Sequence, residues 1–263
     1  MALVDPTLAQ QVAFERAFQL AQAIGAALHI YACADLQEGS SSIDPDPGTL
    51  VSLEQLSAEL VCQAQEKGVR VSSEIEAGVD WRGAAVAAAA RCSANLLVKY
   101  SFDHSDIQRQ LRITSDWELL RNAPCPVLLT KNYTRWQHDR MLAAININAG
   151  DGAHVWLNNQ IISVARGLAA ATDSELHFVN AHSGSHNRPN AEELASRCGV
   201  PLAQIHVLAG VAADVISDLV EGMEVDLVVL GSVGRSGIRG KLFGNTSEKV
   251  LDNTHADVLV VTG

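Results

Sequence analysis

The chain contains no run of about 18 apolar residues, so no segment suits a membrane-spanning helix. Its first residues lack a charged region followed by an apolar one, so no secretory leader is expected. The five cysteines, Cys33, Cys62, Cys92, Cys125 and Cys198, include no CxxC pair. Scattered thiols of this kind suit small core residues in a reducing compartment, and a cytoplasmic location is expected. Cations are in the minority: 19 Lys and Arg against 30 Asp and Glu leave a net charge of −11. That charge repels phosphate backbones. No basic block or RNA-type aromatic pattern offsets it, which argues against nucleic acid as a general partner.

What is present is apolar material for real cores: 48% of 263 residues are hydrophobic, enough for one large or two ordinary domains. Short apolar runs alternate with amphipathic stretches. Strands are expected at 1–4, 27–34, 69–76, 95–98 and 127–130. Helices are expected over 8–24, 50–67, 81–93 and 114–121, the first carrying Val12, Phe14, Phe18, Ala21 and Ile24 at helical spacings. A polar linker follows at 132–139, and the pattern restarts. Strands are then expected at 141–147, 176–181, 205–208, 225–230 and 258–261. The helices are expected over 155–171, 190–197, 212–223 and from about 248. Two domains, 1–132 and 139–263, follow from this reading. Alternating strand and helix imply parallel sheets with helices on both faces.

The halves are copies. Shifted by 131, NLLVKYSFDHSDIQRQLRITSDWELL lies on DLVVLGSVGRSGIRGKLFGNTSEKVL without a gap. The copies differ at Gly231, Gly234, Gly237, Gly240 and Gly244, opposite which stand Tyr100, Asp103, Asp106, Arg109 and Ile113. These side chains fill the space a phosphate needs, and Asp103 and Asp106 repel it. In the second half a buried strand, a glycine-rich loop and a helix start follow one another. Asn245, Thr246 and Ser247 are N-cap candidates, and Arg235, Arg239 and Lys241 are nearby cations. Bared backbone N–H groups and a helix N-terminus suit phosphate. The loop is neither a Walker A loop nor a GxGxxG turn: Arg235 and Leu242 stand where the first requires Gly and Ser or Thr, and Val233 breaks the second. On residues alone, a phosphate cradle and a plain surface loop both remain open.

Gly231-x-x-Gly234, nine residues, then Gly244 resembles the Gly-2x-Gly-9x-Gly-Ser/Thr signature of ATP-binding universal stress proteins. Asn245 takes the place of the final Ser/Thr, followed at once by Thr246 and Ser247. The resemblance covers the whole chain and is to the tandem, two-domain kind. It implies an α/β fold of two similar doubly wound parallel-sheet domains, adenine nucleotide alpha-hydrolase-like, with strand order 3-2-1-4-5. It further implies a site between the first and fourth strands of the second domain. Asn146 stands where the family has an Asp touching the nucleotide, and Val179 lies on the adenine side. Leu230, Gly231, Gly234, Gly244, Asn245, Thr246 and Ser247 line the phosphate end. The cofactor implied is ATP or another adenine nucleotide, and the role is stress response through ligand sensing, with the first domain a degenerate partner. A pseudo-dimer within the chain, formed by the edge strands 127–130 and 258–261, is implied, and a further homodimer is compatible.

Two other readings stay open: a binding module for an apolar or amphipathic small molecule, and a ligand-free interaction protein. No enzyme is expected, because no nucleophile with a positioned base is readable, although slow ATP hydrolysis stays open. No metal is expected at His177, His182 and His186, which lack a converging partner set. Trp81, Trp117 and Trp156 read as packing anchors and Glu248 as a helix-dipole residue. Lys99 ends an apolar strand opposite Leu230. A buried lysine needs a partner, and Asp5 is expected to be it, with Asp103 and Asp116 as further candidates.

Overall fold

The computed structural model describes residues 1–35, 47–78, 80–101, 116–131, 136, 139–148, 150–184, 188–232 and 245–262. The chain divides into two compact units, Met1–Tyr133 and Thr134–Gly263.

The first unit runs β1 (Ala2–Val4), α1 (Val12–Ile24), β2 (Leu28–Asp35), α2 (Pro47–Glu66), β3 (Val71–Gly78), α3 (Trp81–Arg91), β4 (Leu97–Tyr100), α4 (helical over 116–122) and β5 (Val127–Thr130). Its strands pair in parallel in the order β3-β2-β1-β4-β5. The second unit runs β6 (Arg140–Ala144), α5 (Gly152–Thr172), β7 (Glu175–His182), α6 (Ala191–Cys198), a 3₁₀ turn (Leu202–Gln204), β8 (Ile205–Ala209), α7 (Ala212–Met223), β9 (Leu227–Ser232), α8 (Asn245–Asn253) and β10 (Asp257–Thr262). Its parallel order is β8-β7-β6-β9-β10. Both orders are 3-2-1-4-5, as the family resemblance implied.

Local chemistry explains the elements. Leu227, Val228, Val229 and Leu230 are all buried, as a strand covered on both faces requires. Gly25, Gly68 and Gly199 stop α1, α2 and α6 with φ of +68°, +75° and +68°, a conformation glycine adopts without Cβ strain. Asp80, Asp151 and Asn190 cap α3, α5 and α6, each accepting a backbone N–H of the first turn. Among the described residues no helix is long and apolar enough to cross a membrane.

Three expectations need correction. The first helix starts at Val12 rather than at residue 8, because the Gln11 amide is committed to the Asp5 peptide and to Leu8 O. The first strand of the second unit ends at Ala144 rather than 147, because the Asn146 peptide is taken by a helix side chain. Trp156 is not a packing anchor: it is 49% exposed, since the buried stripe of α5 runs through Leu157, Asn158, Ile161, Ile162, Ala165 and Ala169 and leaves it outside.

Candidate functional site

The carboxyl ends of β6 and β9 lie side by side, because these are the strands at which the order reverses. Beyond β6 the Ile145 N–H still donates to Val179 O, at 3.0 Å. The next peptide is held differently. The Asn146 N–H donates to Asn158 Oδ1 at 3.0 Å, and Asn158 Nδ2 donates to Asn146 O at 2.9 Å. One buried amide from α5 thus replaces both ladder bonds and fixes the backbone where the chain leaves the sheet. Asn180, on β7, donates from Nδ2 to Ile145 O at 2.9 Å, while its buried Oδ1 meets no partner among the described residues. Asn158 and Asn180 were missed by sequence reasoning. Asn158 had a signal: it is a polar residue on the apolar stripe of α5, three and four residues before Ile161 and Ile162.

At β9 the glycine at 231 has a packing reason. A Cβ there would stand 2.6 Å from Leu157 Cδ2 and 2.7 Å from Ile161 Cδ1, so α5 rests directly on this backbone. Ser247, in the first turn of α8, is buried and its hydroxyl donates to Gly231 O at 3.3 Å. This bond ties the start of α8 to the end of β9. Thr246 is exposed beside it. Val179 and Leu230 are buried and share one sheet face, each two residues on from His177 and Val228, the register neighbours of Leu142. Asn146, Gly231 and the start of α8 therefore lie at one end of the sheet. Gly234 and Gly244 lie outside the described residues, as does the side chain of Asn245.

The first unit repeats this frame with other residues. Gln11 Nε2 donates to Asp5 O at 2.7 Å and Gln11 Oε1 accepts the Asp5 N–H at 3.2 Å, the counterpart of the Asn158 clamp on Asn146. At the end of β4, Lys99 Nζ lies 2.6 Å from Asp116 Oδ1 and donates to Tyr100 O at 2.8 Å. Ser101 Oγ donates to Asp116 Oδ2 at 2.6 Å. The expected pairing of Lys99 with Asp5 is thus corrected to Asp116. Asp5 is engaged in its own turn, where its Oδ1 accepts from Thr7 N at 2.9 Å and Thr7 Oγ1 at 2.6 Å. By the 131-residue shift, Lys99 and Asp116 stand opposite Leu230 and Ser247. The strand-end carbonyl is satisfied in both units, by an ammonium at Tyr100 and by a hydroxyl at Gly231.

The histidines are held in other ways. His177 Nδ1 lies 3.1 Å from His206 Nε2, and His182 Nδ1 lies 3.0 Å from Gly184 O. His186 is outside the described residues. Among the described residues no three His, Cys, Asp or Glu side chains are arranged to hold a metal ion. Trp81 carries Arg82 over its ring at 5.3 Å and the Lys99 ammonium at 6.0 Å.

Comparison with known proteins agrees with this frame. The universal stress protein family matches residues 1–131 and 162–262. Universal stress protein E of Escherichia coli K12 is 27% identical over 99% of this chain and 92% of its own length. A protein of unknown function from Pseudomonas aeruginosa PAO1 superposes with a TM-score of 0.81 at 28% identity, covering 99% of this chain and 91% of that one. A universal stress protein from Archaeoglobus fulgidus shares the fold, with a TM-score of 0.70 at 16% identity over 99% of this chain and 96% of that one. The matched segments take in most of both units, and on that ground the chain belongs to the universal stress protein family.

Proposed function

We propose that the protein acts in the stress response by binding an adenine nucleotide, ATP or a relative, in its second unit. The observation that carries the reading is the convergence at one sheet end of three features. These are the clamped Asn146 backbone, the end of β9 at Gly231, and the N-terminus of α8, tied there by Ser247. The glycine spacing Gly231, Gly234, Gly244 between β9 and α8 supports it, since loop N–H groups and a helix N-terminus suit a phosphate. Asn146 offers a neutral amide to the nucleoside. Thr246, exposed on the first turn of α8, offers a hydroxyl to the phosphates. Ser247 acts from beneath, holding the helix in place. In the first unit the matching helix start carries Asp116, whose carboxylate is already paired with Lys99. This reading leaves that unit without a phosphate site.

Titration of ATP into the purified protein, with the Gly244→Val variant beside it, tests the proposal. Binding by the wild type and its loss in a folded Gly244→Val variant are expected, because the added side chain fills the loop. Unchanged affinity in the variant would sink the assignment. Mass spectrometry of ligand released from the purified protein separates the nucleotide reading from an apolar ligand. The exposed Val155 and Trp156 near the start of α5 keep that alternative in view.

A further inference from the structure

A groove lies between α5 and α6, on residues other than those at the β6–β9 end. It is open to solvent, offers about 470 Å³, and is lined by Asn159, Ile162, Ser163, Arg166, Gly167, Ala170 and Arg197. On α5 these residues fall three, four, seven, eight and eleven positions after Asn159, a single helical stripe. Arg197 reaches across from α6 and donates from Nη2 to Asn159 Oδ1 at 3.0 Å, which orients its guanidinium. Arg166 lies over the C-cap of α6: its Nη1 is 2.9 Å from where a Cβ on Gly199 would stand. The helix C-terminus attracts this cation but carries only partial charge, so it does not neutralise it. Neither arginine makes an ion pair with the described residues, in a chain where acids outnumber bases 30 to 19. Both act on the same buried thiol: burial pushes Cys198 up to about 11 while Arg197 and Arg166 pull it down.

The first unit carries other residues at the matching helix positions. Aligned on their left-handed C-caps, Gly25 and Asp173, α1 and α5 place Phe14 opposite Ile162, Glu15 opposite Ser163, Phe18 opposite Arg166, Gln19 opposite Gly167 and Gln22 opposite Ala170. In α1 Phe14, in the core, stacks on Phe18 with ring centroids 5.9 Å apart, and Glu15 stands at the position of Ser163. In α5 the carboxylate is gone, two bulky polar side chains are cut to Gly and Ala, and a guanidinium replaces a phenyl ring. A glycine inside a 21-residue helix costs helix stability, and at Gly167 no atom within 4 Å forbids a side chain. Packing therefore gives no reason for that glycine, and a side chain there would stand in the groove that Gly167 lines.

We infer that this groove is a binding site for a small anion, a compact molecule bearing carboxylate or phosphate groups. Its volume lies in the range of small-molecule sites. Planar guanidiniums match both kinds of group with paired hydrogen bonds. A polyanion is disfavoured because it would meet the field of the whole chain, at −11, whereas a small anion meets chiefly the two arginines.

Calorimetric titration of the full-length protein with citrate and with inorganic phosphate, at low ionic strength, tests the site. Heat of binding is expected for the wild type, with affinity about tenfold weaker in Arg166→Gln and in Arg197→Gln. Gly167→Gln, which installs the residue of the first unit and should strengthen the helix, is expected to abolish binding. Arg70→Gln, at an exposed arginine of the first unit, is expected to change nothing. The same titrations in the Gly244→Val background are expected to keep the heat of the groove, so that phosphate taken up by the proposed loop after β9 is not counted with it. Absence of binding by the wild type, or equal affinity in Gly167→Gln, overturns the assignment.

Discussion

His29 and His177 hold matching places on β2 and β7, each beside a glutamate, and differ in their second partner. His29 faces Glu74 at 3.4 Å and Ser72 at 2.9 Å. Burial alone would lift Glu74, but hydrogen bonds and charge from Arg91 and His29 hold it below the usual carboxylate range. His177 lies 3.3 Å from Glu175 and also meets a second imidazole, His206, with ring centroids 5.2 Å apart. Burial, and then the neighbouring His177, push His206 below its ordinary value. A histidine depressed in the folded state stays neutral there while the unfolded chain takes up a proton. Its contribution is fully present above the unfolded value of about 6.5 and is lost as pH falls toward the folded value. The wild type is therefore expected to lose stability below about pH 6.5. His206→Gln should flatten that part of the profile, as urea melts at stepped pH will show. An equal slope in the variant would place the acid sensitivity elsewhere.

At the scale of elements, the strand-to-helix connection after the fourth strand has two solutions in one chain. In the first unit β4 and α4 are joined by Lys99, Asp116 and Ser101; in the second, among the described residues, β9 and α8 are joined by the Ser247 hydroxyl on Gly231 O. The side chains of Lys99 and Asp116 are only 13% and 14% exposed. Removing one partner of such a pair strands the other, at a cost of about 3 kcal/mol. Lys99→Leu alone is expected to destabilise the first unit by about that amount. The double change Lys99→Leu with Asp116→Ser installs the pair that the second unit carries and should recover most of the loss. Chemical denaturation of the wild type, Lys99→Leu, Asp116→Ser and the double variant forms a double-mutant cycle. Simple additivity would show that the two residues do not act together.

For the molecule as a whole, duplication with divergence sets the expected stoichiometry. The glycine positions of the second unit are filled in the first, and the first unit's helix start carries a carboxylate where the second has Ser247. On the proposed reading one adenine nucleotide binds per chain. Calorimetry should return a ratio near one, and a ratio near two would show that the first unit still binds.

The amino-acid sequence alone determined the alternation of strands and helices and the internal repeat at 131 residues. Apolar periodicity and a gap-free self-match are properties of the string. The glycine spacing singled out Gly231 and the residues after Gly244, and the family resemblance singled out Asn146. Only the tertiary structure decided why Gly231 must be glycine, which is the contact with Leu157 and Ile161 of α5. It likewise decided that Lys99 pairs with Asp116 rather than Asp5, since Thr7 occupies the Asp5 carboxylate first. Asn158 and Gln11 carry no spacing that points to residues 146 and 5. Their hydrogen bonds exist because a helix folds back over the strand that precedes it. The groove between α5 and α6 depends on Arg166 and Arg197, 31 positions apart, and no local pattern brings them together. Residues far apart in the chain become neighbours only through packing, and that is where the sequence is silent.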